Sequence, residues 1–162
     1  MIRTLSILTA FLLAGGTAIA APAKIENGKT VSLAYKLLVK GTVLETADKT
    51  APFTYIHGQH QIVPGLEKEL TGLQIGDRKT ILVLPEEGYG LVNPKALVEV
   101  DKKRLPPEVT PKKGAFLEAR DPKGVPQLVK IAEVKENTVV VDFNHPLAGK
   151  ELEFQVEVLN IK

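Results

Sequence analysis

Few side chains in this sequence could do covalent or metal chemistry. Cysteine is absent, which excludes disulfides, thiol nucleophiles and cysteine-based zinc sites. The only serines, Ser6 and Ser32, lie outside any Gly-x-Ser-x-Gly turn, so a serine enzyme of the α/β-hydrolase type is excluded as well. His57 and His60 have a spacing at which two imidazoles can share a metal ion, but no carboxylate at a suitable offset completes the ligand set. We therefore expect no metal and no cofactor, with His57 hydrogen-bonded to the backbone at a strand end.

The charged residues are nearly balanced. The chain has 21 Lys and Arg against 19 Asp and Glu, a formal charge of +2, which argues against a nucleic-acid partner. The basic run 102–104 has no interleaved aromatic residue and is expected to be a solvated surface. The neighbouring carboxylates Glu67 and Glu69, and likewise Glu86 and Glu87, have a spacing that could serve acid–base chemistry. Solvated surface positions are the expected reading for all four.

The aromatic residues are the more informative group. Five of them fall on or beside elements that could share one core face: Tyr35, Phe53, Tyr55, Tyr89 and Phe154. Two interpretations remain open at this point, a small β core that needs no ligand and an apolar cavity that takes one. Tyr89 favours the cavity, because a tyrosine between two glycines in a loop has little reason to be buried and could hold its hydroxyl over a cleft.

These residues sit on elements that the hydrophobic pattern predicts. Alternation over 29–39 and 152–158 predicts two half-buried strands, the second antiparallel. Further β segments are predicted at 42–45, 52–57 and 78–84. Pro64-Gly65 predicts the start of a short helix, because proline is tolerated in a first helical turn, and Gly72 is placed to end it.

The stretch from about 93 to 144 has a different texture. It is rich in proline and contains three short β candidates, at 115–120, 127–134 and 138–143. Its hydrophobicity is too high for a disordered linker. We expect a small β-rich module inserted into the main fold.

The first twenty residues resemble an export signal. An apolar run from Leu5 to Ala14 follows Arg3, and Ala18-Ile19-Ala20 supplies the small residues that a signal peptidase reads. The run is too short to span a bilayer. We expect cleavage near Ala21, export to the periplasm of a bacterial host and no membrane segment afterwards. The alternative is an uncleaved anchor or a buried first helix.

Two sets of motifs carry a resemblance to a known family. The run 51–66 (APFTYIHGQHQIVPGL), with Gly76-Asp77-Arg78 and 87–90 (EGYG), resembles FKBP-type peptidyl-prolyl cis–trans isomerases. The run 139–152 (VVVDFNHPLAGKEL) resembles the SlyD-like subgroup. The resemblance implies an α+β, mostly β fold in which an antiparallel sheet wraps on a short helix. It further implies a discontinuous isomerase domain at 24–93 and 143–162 and a chaperone domain at 94–142 inserted in the flap beside the active site.

The same resemblance assigns the site. Catalytic roles fall on Tyr35, Glu45, Tyr89 and Phe154, and substrate binding falls on Leu44, Phe53, Ile62, Val63 and Leu66. Tyr55 is expected to support the pocket rather than line it. Glu45 stands where the family usually has aspartate, so its carboxylate is one methylene longer, and it is expected either to orient Tyr35 or to sit near the twisting carbonyl. Leu66 replaces an aromatic floor residue found in many members, which predicts a roomier pocket.

The implied function is isomerisation of X–Pro bonds combined with folding assistance to exported unfolded proteins. Unfolded or proline-containing polypeptides are the expected partners, with macrolide inhibitors as further ligands, and the chain is expected to be a monomer. Candidate contacts in the insert are Leu97, Val98, Leu105, Phe116, Leu128 and Val129, of which alternation is expected to bury about half. The alternative function is a holdase-type chaperone with little or no isomerase activity.

Overall fold

The computed structural model describes residues 22–106, 109–120, 124 and 126–162. Residues 1–20, where the sequence predicts an export signal, lie outside the described residues. Two antiparallel sheets contain most of the regular secondary structure of the described chain, which has a single α-helix. The expectation of a mostly β fold with one short helix is confirmed.

The first sheet contains five strands. These are β1 (Thr30–Val39), β2 (Thr42–Ala47), β3 (Phe53–Ile56), β4 (Arg78–Val83) and, numbered by its place in the chain, β9 (Leu152–Ile161). The order is β2-β1-β9-β4, and β3 pairs with the first half of β1 on the edge that β2 covers further along. The two ten-residue strands β1 and β9 therefore form the centre of the sheet.

Alternation along β1 and β9 determines which face is buried. Successive side chains of a strand point to opposite faces, so every second residue enters the core. Val31, Leu33 and Leu37 of β1 are buried, as are Phe154 and Val158 of β9. The cross-strand pairs Leu33–Val158 and Leu37–Phe154 bring these side chains together on one face.

The helix α1 (Pro64–Leu70) packs against this buried face. Pro64 occupies the first turn, where its missing N–H costs nothing, and Leu66 and Leu70 are buried. Gly65 allows close packing, because a Cβ there would lie 2.8 Å from Val83 Cγ1 on β4. A helix of this length is marginal alone, so tertiary packing maintains it.

The second sheet contains four strands in the order β5-β8-β7-β6. They are β5 (Leu97–Asp101), β6 (Phe116–Arg120), β7 (Pro126–Val134) and β8 (Thr138–Asp142). β5 is a strand that the sequence analysis did not predict. The hydrophobic core of the second sheet centres on Val129, Val139 and Val141.

The six candidate contacts of this second sheet divide by exposure. Leu97, Val98, Phe116 and Leu128 are exposed, Leu105 is half-buried, and Val129 is only 1% exposed. The expectation that Val129 is a surface contact is therefore wrong, because Val129 lies on the inward face of β7 and packs in the core. Leu105 packs against the same core.

Paired side-chain and backbone bonds join the two chain segments that lead into and out of the second sheet. Asn144 Oδ1 accepts the Asn93 N–H at 2.8 Å, and Asn144 Nδ2 donates to the Asn93 carbonyl at 3.1 Å. Further along the chain, the Gly149 N–H donates to the Gly90 carbonyl at 2.8 Å. No helix in the described part of the chain is long and apolar enough to cross a membrane.

A buried hydrogen-bonded histidine links β3 to the end of α1. His57 is 2% exposed; its Nδ1 lies 3.1 Å from the Tyr55 hydroxyl and its Nε2 lies 3.1 Å from Thr71 Oγ1. Thr71 donates its own proton to the Glu67 carbonyl at 3.2 Å, so it accepts from Nε2–H, and Nδ1 accepts from Tyr55. The backbone N–H of His57 also donates to the Lys29 carbonyl at 2.9 Å. Both partners of the ring are side-chain hydroxyls and not the backbone groups that the sequence analysis expected. The ring is therefore fully satisfied in its neutral form.

Burial lowers the pKa of His57 below its usual value, and the nearby Glu67 carboxylate opposes this only in part. The unfolded state therefore binds more protons than the folded state once the pH falls below about 6.5. We predict that the free energy of unfolding is at its plateau above that pH and falls below it, with a slope of at most about 1.4 kcal/mol per pH unit. Urea unfolding between pH 7.5 and 5.5 measures this dependence and stays above the range in which surface carboxylates titrate.

The matched variant is His57→Gln, which keeps a donor and an acceptor but cannot titrate. It is expected to be less stable at pH 7.5 and to have a flatter pH dependence across the same window. Parallel slopes for the parent and the variant would contradict the assignment.

Candidate active site

An apolar cavity opens on the buried face of the first sheet. Its volume is about 190 Å³. It lies where β1, β2, β3 and β9 meet the start of α1 and the loop that follows β4. The residues that line it are Leu33, Tyr35, Leu37, Glu45, Phe53, Gln61, Ile62, Val63, Leu66, Tyr89, Phe154 and Val156.

The base of the cavity belongs to the core of the sheet. Leu33, Leu37 and Phe154 are buried, with exposures of 1%, 2% and 5% respectively. They share a face because Leu37 is paired with Phe154 across β1 and β9, and Leu33 lies four residues before Leu37 on β1. The base is therefore rigid, since each residue is also part of the main hydrophobic core.

Aromatic rings form one wall. The Tyr35 and Phe53 rings meet edge to face, with centroids 5.8 Å apart and an interplanar angle of 88°. Tyr35 also contacts Phe154, at 6.1 Å. Tyr55 stacks behind Phe53 at 6.0 Å and does not line the cavity, which matches the supporting position that the sequence analysis expected for it. Edge-to-face and offset arrangements of this kind are the favourable ones for aromatic pairs.

A short hydrogen bond fixes the orientation of Tyr35. Its hydroxyl donates to Glu45 Oε1 at 2.6 Å. Burial is the main cause that raises the pKa of Tyr35, and the hydrogen bond and charge of Glu45 raise it further. The phenol therefore remains protonated throughout the physiological range. Of the two roles open to Glu45, the geometry supports orientation of Tyr35.

Tyr89 reaches the cavity from the loop after β4. It is 39% exposed, and its ring lies parallel to the ring of His145, with centroids 3.9 Å apart and an angle of 6°. Burial raises the pKa of Tyr89, and the Glu45 carboxylate raises it further, so its hydroxyl is a hydrogen-bond donor at neutral pH. Tyr89 thus places a polar group at the margin of an otherwise apolar hollow.

The remaining wall comes from the loop between β3 and α1. Ile62, Val63 and Gln61 line the cavity from this loop, which is fixed at both ends by side chains. Gln61 Oε1 accepts the Ile56 N–H at 2.9 Å, and Glu67 Oε1 accepts the Gly58 N–H at 2.8 Å. Glu67 is 9% exposed, so the expectation of a solvated surface carboxylate is wrong for this residue. Its carboxylate is buried because it satisfies the backbone of the loop.

Eight of the nine residues that the sequence analysis assigned to the pocket line this cavity, and Leu44 does not. Leu37 pairs with Glu45 and Leu38 pairs with Val43, so Leu44 is the extra residue of a β-bulge on β2. Its side chain is 50% exposed. The bulge lets the neighbouring Glu45 reach Tyr35 and leaves Leu44 outside.

Four lining residues were missed by the sequence analysis. Three of them, Leu33, Leu37 and Val156, share the inward strand phase of Tyr35 and Phe154, so the alternation along β1 and β9 could have identified them. The fourth is Gln61, and nothing in the sequence pattern distinguishes it.

A larger groove of about 570 Å³ also lies on the first sheet and shares Tyr35 and Val156 with the cavity. Its lining is mostly polar and charged and includes Lys36, Lys49, Arg78 and Glu157. Lys49 and Arg78 both pair with Glu157, at 2.7 and 3.2 Å. The smaller cavity is the better candidate site, because aromatic and aliphatic walls with a few polar groups are typical of ligand-binding pockets.

No cluster of three or more potential metal ligands occurs among the residues that the structure describes. The two histidines whose spacing suggested a metal site differ in environment. His57 is buried, whereas the His60 side chain is 86% exposed, with its Nδ1 3.5 Å from Glu67 Oε2.

Comparison with known proteins identifies the family of this chain. The family model for FKBP-type peptidyl-prolyl cis-trans isomerases matches residues 21–159. The protein named FKBP-type peptidyl-prolyl cis-trans isomerase SlyD from Vibrio cholerae is 38% identical over 148 residues, which cover 86% of this chain and 69% of that protein.

Two further relatives show the same likeness. SlyD from Escherichia coli is 34% identical over 141 residues, covering 86% of this chain and 71% of that protein. The short-type peptidyl-prolyl cis-trans isomerase of Methanocaldococcus jannaschii is 31% identical over 153 residues, covering 85% and 94%. Since the family match spans both sheets and the whole lining of the cavity, this chain belongs to the FKBP-type peptidyl-prolyl cis-trans isomerase family and has SlyD proteins among its homologues.

Proposed function

We propose that the protein isomerises X–Pro bonds in the apolar cavity and that its second sheet binds the unfolded chains that carry them. The observation that carries the first half is the combination of apolar walls with a protonated tyrosine at the margin, formed by Phe53, Phe154 and Tyr89. Membership of the family gives this activity its chemical class.

The reaction needs no covalent step. Rotation about a peptide bond breaks amide resonance against a barrier of roughly 18–20 kcal/mol, and an unassisted X–Pro bond takes tens to hundreds of seconds. The planar amide is strongly dipolar, whereas the twisted amide has lost much of its charge separation. A site of low polarity therefore favours the twisted transition state over the planar ground state, and this difference in binding is what accelerates the reaction.

Each part of the cavity has a role in this mechanism. The proline ring of the substrate packs against the rings of Phe53 and Phe154 and the side chain of Leu66, which together exclude water. Tyr89 donates a hydrogen bond to a substrate carbonyl and fixes the peptide. Val63 lies immediately before α1 in an extended conformation, where its backbone N–H can anchor the neighbouring carbonyl. Glu45 acts through Tyr35, whose ring it orients.

We predict that Phe53→Ala and Tyr89→Ala each lower kcat/KM for a short X–Pro peptide about tenfold or more, because each removes a wall or a donor of the cavity. The protein also remains folded, because both residues are partly exposed. A protease-free peptide isomerisation assay, with a melting curve for each variant, measures both quantities.

Leu44→Ala is the matched control. It removes an apolar side chain next to Glu45 but outside the cavity, so activity within twofold of the parent is expected. Phe154→Ala is less informative, since Phe154 is 5% exposed and truncating a core phenylalanine costs about 3–5 kcal/mol of stability. Equal loss of activity in the Leu44 and Phe53 variants would contradict the site.

The second sheet supports the other half of the proposal through its exposed face. Phe116 and Glu118 of β6 lie opposite Lys130 and Leu128 of β7, respectively. Lys130 of β7 and Leu97 of β5 both lie opposite Asp142 of β8, which is between these two strands. Leu97, Phe116 and Leu128 therefore share one face, which is opposite the face that contains Val129 and Val141. They are 43%, 50% and 56% exposed, an amount of apolar surface on a small sheet that suits transient contact with unfolded chains.

The position of this sheet in the chain favours cooperation with the cavity. It begins a few residues after Tyr89, and Asn93 and Asn144 join the outgoing and returning segments. A client held on the second sheet thus has a high local concentration at the cavity, which raises turnover on protein substrates without changing the chemistry. We propose on this basis that the second sheet is the chaperone domain inserted in the flap that the sequence analysis expected from the family motifs.

We predict that the double variant Phe116→Ser/Leu128→Ser lowers catalysis of proline-limited refolding of an unfolded protein severalfold and leaves short-peptide isomerisation unchanged. The cause is lost apolar contact area on the outward face. The control is Leu82→Ser, which removes a side chain that is 57% exposed on the first sheet and should change neither activity. If peptide and protein activities fall together, the two sheets do not divide the work.

One alternative function and one further class of ligand belong to this proposal. If the protein is a holdase with little or no isomerase activity, the unsubstituted protein should bind unfolded protein and leave peptide isomerisation at its spontaneous rate. Macrolide inhibitors belong to the isomerase proposal and should compete with prolyl peptides for the cavity in a displacement titration. The monomeric state that we propose can be checked by sedimentation.

We also propose that residues 1–20 direct export and are removed, so that the protein works on chains arriving unfolded in the periplasm. The support is the sequence pattern alone. N-terminal sequencing of the protein recovered after export should begin near Ala21, and an intact Met1 would contradict it.

A further inference from the structure

Hydrogen bonds fix the backbone of the loop around Tyr89, whereas they leave the Tyr89 side chain free to rotate. The N–H groups of Gly88 and Gly90 both donate to the Pro85 carbonyl, at 3.1 and 2.7 Å. Gly90 has a φ of +82°, which favours glycine and makes the tight return possible. Tyr89 itself lies between these glycines with its ring at the margin of the cavity, so it needs a lateral contact to hold one rotamer.

His145 supplies that contact. The two rings are parallel within 6°, with centroids 3.9 Å apart, so one face of the Tyr89 ring is covered by the imidazole. His145 does not line the cavity. Its ring therefore touches the side chain that we propose meets the substrate, without meeting the substrate itself.

The imidazole is in turn held by its own segment. His145 Nδ1 accepts the Leu147 N–H at 3.1 Å, and its carbonyl accepts the Ala148 N–H at 2.8 Å. The preceding residue, Asn144, is anchored by its hydrogen bonds to Asn93 and by donation to Asp142 Oδ1 at 2.7 Å. The ring thus projects from a turn that is fixed on both sides.

We propose that His145 is a positioning residue for X–Pro isomerisation, because its ring holds Tyr89 in the orientation that places the tyrosine hydroxyl over the cavity. This inference rests on the proposed isomerase function. If only a fraction of the molecules have Tyr89 in the competent rotamer, the apparent affinity for the peptide falls by that fraction. Loss of the stack therefore weakens kcat/KM through Tyr89 and through no other group.

The test is a double-mutant cycle on kcat/KM for a short X–Pro peptide, with the full chain. His145→Ala is expected to lower kcat/KM about threefold to tenfold, the order expected for an aromatic pair. In a Tyr89→Ala background the same substitution should change kcat/KM less than about 1.5-fold, because the group through which it acts is gone. An equal loss in both backgrounds overturns the inference.

Two conservative variants separate the stack from the turn. His145→Phe keeps a ring face and loses the acceptor for Leu147, whereas His145→Asn keeps a side-chain acceptor and loses the ring. Rescue is expected with phenylalanine and not with asparagine. The reverse pattern would make His145 a turn residue only and would overturn the inference.

The parent and an activity-independent measurement keep this result distinct from the proposed function. A parent with no isomerase activity defeats the proposed function, whereas an active parent with a neutral His145→Ala variant defeats only this inference. NMR spectra of ring-labelled tyrosine report the stack directly. The Tyr89 ring signals, assigned with a Tyr89→Phe variant, should shift in His145→Ala and stay near the parent values in His145→Phe.

Discussion

The candidate site depends on an apolar hollow that must not collapse. Protein interiors pack as closely as organic crystals, so a gap beside a hydrophobic core tends to be filled by its own walls. Here three of the four aromatic rings that line the hollow are each held by a neighbouring side chain. Glu45 holds Tyr35 by a hydrogen bond of 2.6 Å, Tyr55 stacks behind Phe53, and His145 covers one face of Tyr89.

This support reaches from the cavity into the frame of the fold. Phe53 stacks on Tyr55, the Tyr55 hydroxyl bonds to His57, and His57 bonds to Thr71 at the end of α1. At the start of that helix, Glu67 holds the Gly58 N–H and so closes the loop that provides another wall. No buried side-chain polar atom among the described residues lacks a hydrogen-bond partner, and the bonds around the site hold the apolar walls in place.

Sequence reasoning predicted the fold where periodicity was strong. The alternation over β1 and β9 and the Pro64-Gly65 helix start were sufficient because each pattern has one structural solution. Strand β5 was missed because Leu97–Asp101 is short and lies beside a proline-containing turn. The pocket residues that came from the family motifs mostly line the cavity, but Leu44 does not, since adjacent strand residues point apart and a bulge displaces it. The burial of Glu67 and the stack of His145 on Tyr89 depend on contacts between distant segments, which leave no local pattern.

The central claim is that this hollow accelerates rotation of an X–Pro bond without forming a bond to it. NMR exchange spectroscopy on a short X–Pro peptide, with a catalytic amount of the parent protein, tests it most directly. The account predicts exchange peaks between the cis and trans forms at mixing times of about a second or less, far shorter than the tens to hundreds of seconds of the spontaneous reaction, with peptide-induced shifts at Phe53, Val63 and Tyr89. Absent exchange peaks, or shifts confined to the charged groove at Lys49 and Arg78, would contradict it.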